Sequence, residues 1–172
     1  HQDEPWARRR EALRVYEERP TILPWPLFGS IICGSGPMPP PGSWERGQMM
    51  MRMLFLASQE HPAFGLWLRP FRWLDDGDEQ GRLKAAAEER FAVCFQRLDG
   101  WLEGRDWLIG NHMTLADTLA FVHACWGLRV DPPTTEYPNI WRFAQNMAEV
   151  PSVGRTMEQA GIALTKEQHG VR

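Results

Sequence analysis

Between Trp107 and Thr118 the chain reads Trp-Leu-Ile-Gly-Asn-His-Met-Thr-Leu-Ala-Asp-Thr, and the remaining sequence falls into order around this stretch. Thr114 stands where an N-cap hydroxyl accepts an amide three residues on, and Asp117 is placed to reach back to the Thr114 amide. This is a capping box with Asp in place of the usual Glu. Behind it, Leu115, Leu119, Val122 and Trp126 recur at helical spacing, while Ala116, Ala120 and Ala124 line an adjacent face that permits close approach by another helix. Pro132 and Pro133 close the segment.

Working outward, residues 79 to 102 carry Leu83, Ala86 or Ala87, Phe91 (or Arg90), Cys94 or Phe95, Leu98 and Leu102 at three-and-four spacing, and Gly104 follows where a glycine stops a helix. Ser43 is a further N-cap, opening a helix through Met49, Met50, Met53 and Leu54 that Pro62 should kink or end. Pro138 opens a helix with Ile140, Trp141, Phe143 and Met147, and Pro151 opens a last one reaching about Gly161. Alternation at period two is absent, so the expected fold class is all-α, a helical bundle. Ahead of it, Pro5, Trp6, Leu13 and Tyr16 suggest a short helix over 4 to 19. From Pro20 to Ser43 the prolines and glycines forbid a long regular element, although Ile22, Trp25 and Phe28 make this arm too apolar for a free linker. The expected division is 1 to 42, helix and Pro/Gly-rich arm, and 43 to 172, helical domain.

The 172 residues are about one domain, and 43% hydrophobic and 24% charged residues are globular values. The apolar run near Met49 to Ala57 is short and broken by Arg52, so no membrane span is expected. A formal charge of -3 gives no general attraction to nucleic acid, and Arg8, Arg9, Arg10 and Arg14 are offset by Glu11, Glu17 and Glu18. Cys33, Cys94 and Cys125 lack metal-ligand or disulfide spacing, which points to a reducing, cytoplasmic setting and no metal.

Leu108-Ile109-Gly110 followed by Thr114-Leu115-Ala116-Asp117 resembles the glutathione S-transferase pattern that leads into that family's buried sixth helix. Ser43-Trp44-Glu45-Arg46 and Phe55 through Glu60-His61-Pro62 resemble the start and kinked middle of the long fourth helix in bacterial members. Tyr137-Pro138-Asn139-Ile140-Trp141, Met147 and Pro151 are similar to the entry, centre and stop of a later helix. The resemblance implies the family's C-terminal helical domain, with glutathione as co-substrate, a small apolar electrophile and a homodimer or other protein partner. The thioredoxin-like half expected ahead of it is not recognisable in residues 1 to 42. Gly29-Ser30 is the nearest match to the glutathione-binding pair, making Ser30 the candidate contact.

Because the fourth and sixth helices wall the electrophile site in these enzymes, Met49, Met53 and Trp126 are the expected lining. Thioethers and an indole suit irregular apolar ligands, although core packing explains the methionines as readily. Cys33 sits in a tight loop without an activating neighbour, and Glu60 cannot simply orient His61, because adjacent helical residues do not face each other. Two functions remain open: a transferase-like protein whose helical domain supplies an electrophile wall and dimer surface but lacks thiol activation, or a non-catalytic interaction and assembly module.

Overall fold

The computed structural model describes residues 38–164. The helix expected over 4 to 19, most of the apolar arm, Ser30 and Cys33 lie outside the described residues. Six α-helices follow one another within them, with no strand among the described residues.

Helix α1 (Trp44–Phe55) starts on Ser43, whose Oγ accepts the Arg46 amide at 3.2 Å. The chain does not stop at Pro62. A π-helical turn, Leu56–Glu60, leads directly into α2 (His61–Leu68), which holds Pro62 in its first turn. Proline lacks an N–H and crowds the carbonyl four residues back, and a wider turn just ahead of it lets the helix continue with a shifted face.

Helix α3 (Gly77–Trp101) is capped by Asp76, whose carboxylate accepts the Glu79 amide at 2.9 Å, and it buries Phe91, Cys94, Phe95 and Leu98. Helix α4 (Leu115–Trp126) is the centre of the bundle and contacts both α1 and α5 (Pro138–Glu149). Its alanines explain this position: Ala116, Ala120 and Ala124 are at most 2% exposed, whereas Leu115, Leu119 and Trp126 are only half-buried. The small residues, not the leucines, form the deepest face, because they let neighbouring backbones come close.

Two cross-links fix α5 on α3. Asp99 Oδ1 accepts the amides of Asn139 and Ile140 at 2.8 and 3.0 Å, so a residue of α3 caps the start of α5. Arg142 donates to the Leu102 and Arg105 carbonyls at 2.8 and 2.9 Å, closing the end of α3 in return. Helix α6 (Pro151–Ala160) ends on Gly161, whose φ of 63° suits glycine. Gly127, just past α4, is required by packing: a Cβ there would lie 2.3 Å from Thr134 Cγ2 and 2.6 Å from Phe95 Cζ.

Candidate functional site: an aromatic cavity beside the central helix

Asp117 and Thr114 meet at the start of α4, both fully buried. The capping box is present, and the carboxylate does more than close it. Asp117 Oδ2 accepts the Thr114 amide and the Thr114 hydroxyl, each at 2.7 Å, and Oδ1 accepts the Leu108 amide at 2.6 Å. One side chain therefore ties the Trp107–Gly110 loop to the helix start. Burial pushes the Asp117 carboxyl above the usual carboxylate range, and the three donors oppose that shift. Every strong acceptor is occupied, so this cluster has nothing to offer a ligand.

A different environment lies at the other end of α4. A cavity of about 100 Å³ opens between α2 and the residues around Trp126, walled chiefly by His61, Phe64, Trp67, Arg69, Trp126 and Arg129. The ring centroids of Phe64 and Trp126 are 5.2 Å apart in an edge-on arrangement, and those of His61 and Trp126 are 5.4 Å apart. His61 sits at the mouth. Partial burial and then the neighbouring His123 ring push its imidazole below the ordinary 6.5, so at neutral pH it is uncharged and can accept a proton.

Beneath this wall, Glu60 and His123 are both wholly buried, with His123 Nδ1 3.5 Å from Glu60 Oε1. Neither carboxylate oxygen and neither imidazole nitrogen makes a hydrogen bond, and Trp126 Nε1 and Arg129 Nη2 are likewise buried without an acceptor. His123 stacks on Trp126 with centroids 5.2 Å apart, which joins this polar couple to the cavity wall. The π-helical turn places Glu60 under α4 while His61 stays outside. Adjacency in the sequence therefore gave no hint of the Glu60–His123 couple.

Of the residues expected to line an electrophile site, Trp126 borders this cavity. Met49 lies in the core at 0% exposure, and Met53 packs half-buried against that core; neither borders the cavity. Trp67 and Arg129 do, and sequence spacing carried no signal for them. Burial pushes the Cys94 thiol up to about 11 and the Cys125 thiol up to about 12, which suits packing and not nucleophilic chemistry. Among the described residues no group of His, Cys, Asp and Glu is placed to hold a metal ion.

On α1 and α3 an apolar face is open: Trp44, Met50, Met51, Leu54 and Val93 are 77, 54, 52, 67 and 60% exposed. Met51, Leu54, Phe55 and Val93 border a shallow cleft there together with Arg90 and Arg97. Among the described residues no helix is long and apolar enough to cross a membrane.

Residues 48–151 match the family model described as glutathione S-transferase, C-terminal domain. The chain belongs to the glutathione S-transferase family. A glutathione S-transferase from a sphingomonad, solved in complex with glutathione, is similar over 73% of this chain and 59% of that one, at 31% identity and a TM-score of 0.61. A beta-class transferase from Sphingomonas chungbukensis matches over 73% of this chain and 59% of that one, at 27% identity and a TM-score of 0.62. A Xylella fastidiosa glutathione S-transferase, at 23% identity, shares the fold over 71% of this chain and 60% of its own, with a TM-score of 0.64. The chain thus spans about three-fifths of the length of these solved transferases. A search of curated proteins gave no match. The all-helical body of this glutathione S-transferase family member is the family's C-terminal domain.

Proposed function

We propose that this chain works in glutathione conjugation, with its helical body gathering a small electrophile in the cavity beside α4. The observation that carries the reading is the convergence of Phe64, Trp67 and Trp126 with an uncharged His61 in one opening. Flat aromatic walls bind a planar electrophile by stacking and by exclusion of water. In the reaction, glutathione sulfur bonds to the electrophilic carbon and a group such as halide leaves that carbon. The sulfur must first lose its proton, since a free thiol near pKa 8.5 is only a few per cent ionised at neutral pH. Gathering one reactant does not activate the other, so the helical body alone is a substrate wall and not a complete catalyst.

The exposed apolar side chains of Trp44, Met50, Met51, Leu54 and Val93 support self-association, because a monomer rarely leaves a large apolar patch in water, and the free cysteines Cys94 and Cys125 suit a reducing compartment such as the cytoplasm. The same apolar side chains support the second reading, a non-catalytic assembly module that docks another protein. A dinitrohalobenzene assay with millimolar glutathione separates the readings. The expected result is no turnover above the uncatalysed rate for the 172-residue chain, with binding of the arene retained. Saturable turnover that Ser30→Ala abolishes would instead place a working glutathione site within this chain. Failure to bind the arene would favour the assembly module.

A further inference from the structure

The cavity wall contains two cations, Arg69 and Arg129, that an apolar electrophile would not use. Arg129 follows α4, and its guanidinium carbon stands 5.7 Å from the centre of the Trp67 ring. Its Nη2 is buried without an acceptor, as is the Trp126 Nε1 hydrogen on the same wall. Trp67 Nε1 donates to Glu88 at 2.8 Å, and no carboxylate among the described residues pairs with Arg129. Burial lowers the Arg129 pKa, yet a guanidinium stays protonated throughout the working range.

Arg129 is half-buried, and partly desolvating a cation that has no carboxylate partner among the described residues is costly, so a wall that served only apolar ligands would be better built with Leu or Met in this place. A desolvated guanidinium beside aromatic faces is suited to a ligand that brings its own planar anion, because the fork of Arg donors matches the two oxygens of a carboxylate. The size agrees. An apolar cavity of roughly 150 Å³ accepts benzene, so an opening of about 100 Å³ with one side to solvent takes a single ring.

We propose that the cavity selects aromatic carboxylates, with the ring held against Phe64 and Trp126 and the carboxylate recognised by Arg129. The inference rests on the electrophile-wall reading, since it assigns the substrate class of that same opening. The other titratable groups on the lining are His61 and Arg69; His61, uncharged at neutral pH, neither competes for the anion nor repels it, and Arg69 adds a second positive charge that favours an anionic ligand.

The test is calorimetric titration of the full chain, without glutathione, with 4-nitrobenzoate and with its neutral isostere 4-nitrobenzamide. The nitrobenzoate is expected to bind about tenfold more tightly, a preference that weakens as salt is raised. Arg129→Met keeps a long apolar stem over Trp67 and should bring the two affinities together, leaving nitrobenzamide binding as the sign that the wall is intact. Arg129→Lys should retain part of the preference. Equal binding of the two ligands to the native chain, a preference that survives Arg129→Met, or no binding of either would overturn the proposal. The electrophile-wall reading fails independently: charge-selective binding of nitrobenzoate with no binding of the dinitrohalobenzene removes that reading and leaves this site standing. Binding of the dinitrohalobenzene with equal binding of nitrobenzoate and nitrobenzamide does the reverse.

Discussion

Two buried carboxylates in this bundle are equally hidden from water and are treated in opposite ways. Asp117 has both oxygens filled by the Leu108 amide, the Thr114 amide and the Thr114 hydroxyl at 2.6 to 2.7 Å. Glu60 has neither oxygen in a hydrogen bond, with His123 3.5 Å away. Complete satisfaction makes a rigid joint, whereas buried donors and acceptors left open mark a place where something other than stability is being served. Several of the open groups gather here: His123 stacks on Trp126 with Glu60 beside it, and Arg129 stands on the cavity wall, while Arg52 and Thr118 hold further open groups elsewhere.

The largest expected effect breaks the satisfied site. Asp117→Ala leaves two buried amides without acceptors, a loss of about 3 kcal/mol. A urea midpoint close to that of the native chain would remove the distinction altogether. At the other carboxylate, Glu60→Leu combined with His123→Phe removes both open partners and fills the space with apolar atoms. That double variant should stay within about 1 kcal/mol of native stability or exceed it, while His123→Phe alone, which strands the carboxylate, should cost more. A double variant as damaged as Asp117→Ala would mean that the Glu60–His123 couple is a structural joint too.

A smaller effect comes from His61. Its pKa in the folded chain lies below the unfolded value of 6.5, so the unfolded state binds more protons in this range. Its contribution is therefore complete above pH 6.5 and is lost as the pH falls through the folded value. Urea midpoints for the native chain should decline over that interval, and His61→Gln should flatten the decline. An unchanged slope in the variant would assign the acid sensitivity to other groups.

Much of the bundle was legible because its signals are local. Ser43, Thr114 with Asp117, Pro138, Pro151 and Gly161 act within one helical turn of themselves, and the helices begin or end beside them. Asp99 was not legible as a cap, since its partners Asn139 and Ile140 lie on another helix and nothing in their own neighbourhood calls for a carboxylate. The alanine face of α4 was legible as a place of close helix packing, and Ala116, Ala120 and Ala124 are its deepest residues, although spacing did not say which neighbours would fill it. The cavity shows the same limit. Trp126 was identifiable through the family resemblance, whereas Arg129 and Trp67 become a wall only once α2 is placed against the end of α4, and the π-helical turn that sets that placement has no distinct sequence pattern.

The central claim is that the two ends of α4 are divided, one closed by its own hydrogen bonds and the other open to a ligand. Proton–nitrogen correlation spectra of the chain titrated with neutral 1,3-dinitrobenzene test it directly, with the Trp126 indole signal assigned through Trp126→Phe. The account predicts a saturable shift of the Trp126 Nε1 resonance while the Leu108 and Thr114 amides stay in place. A Trp126 resonance that does not move, or a shift shared equally by Leu108 and Thr114, would contradict it.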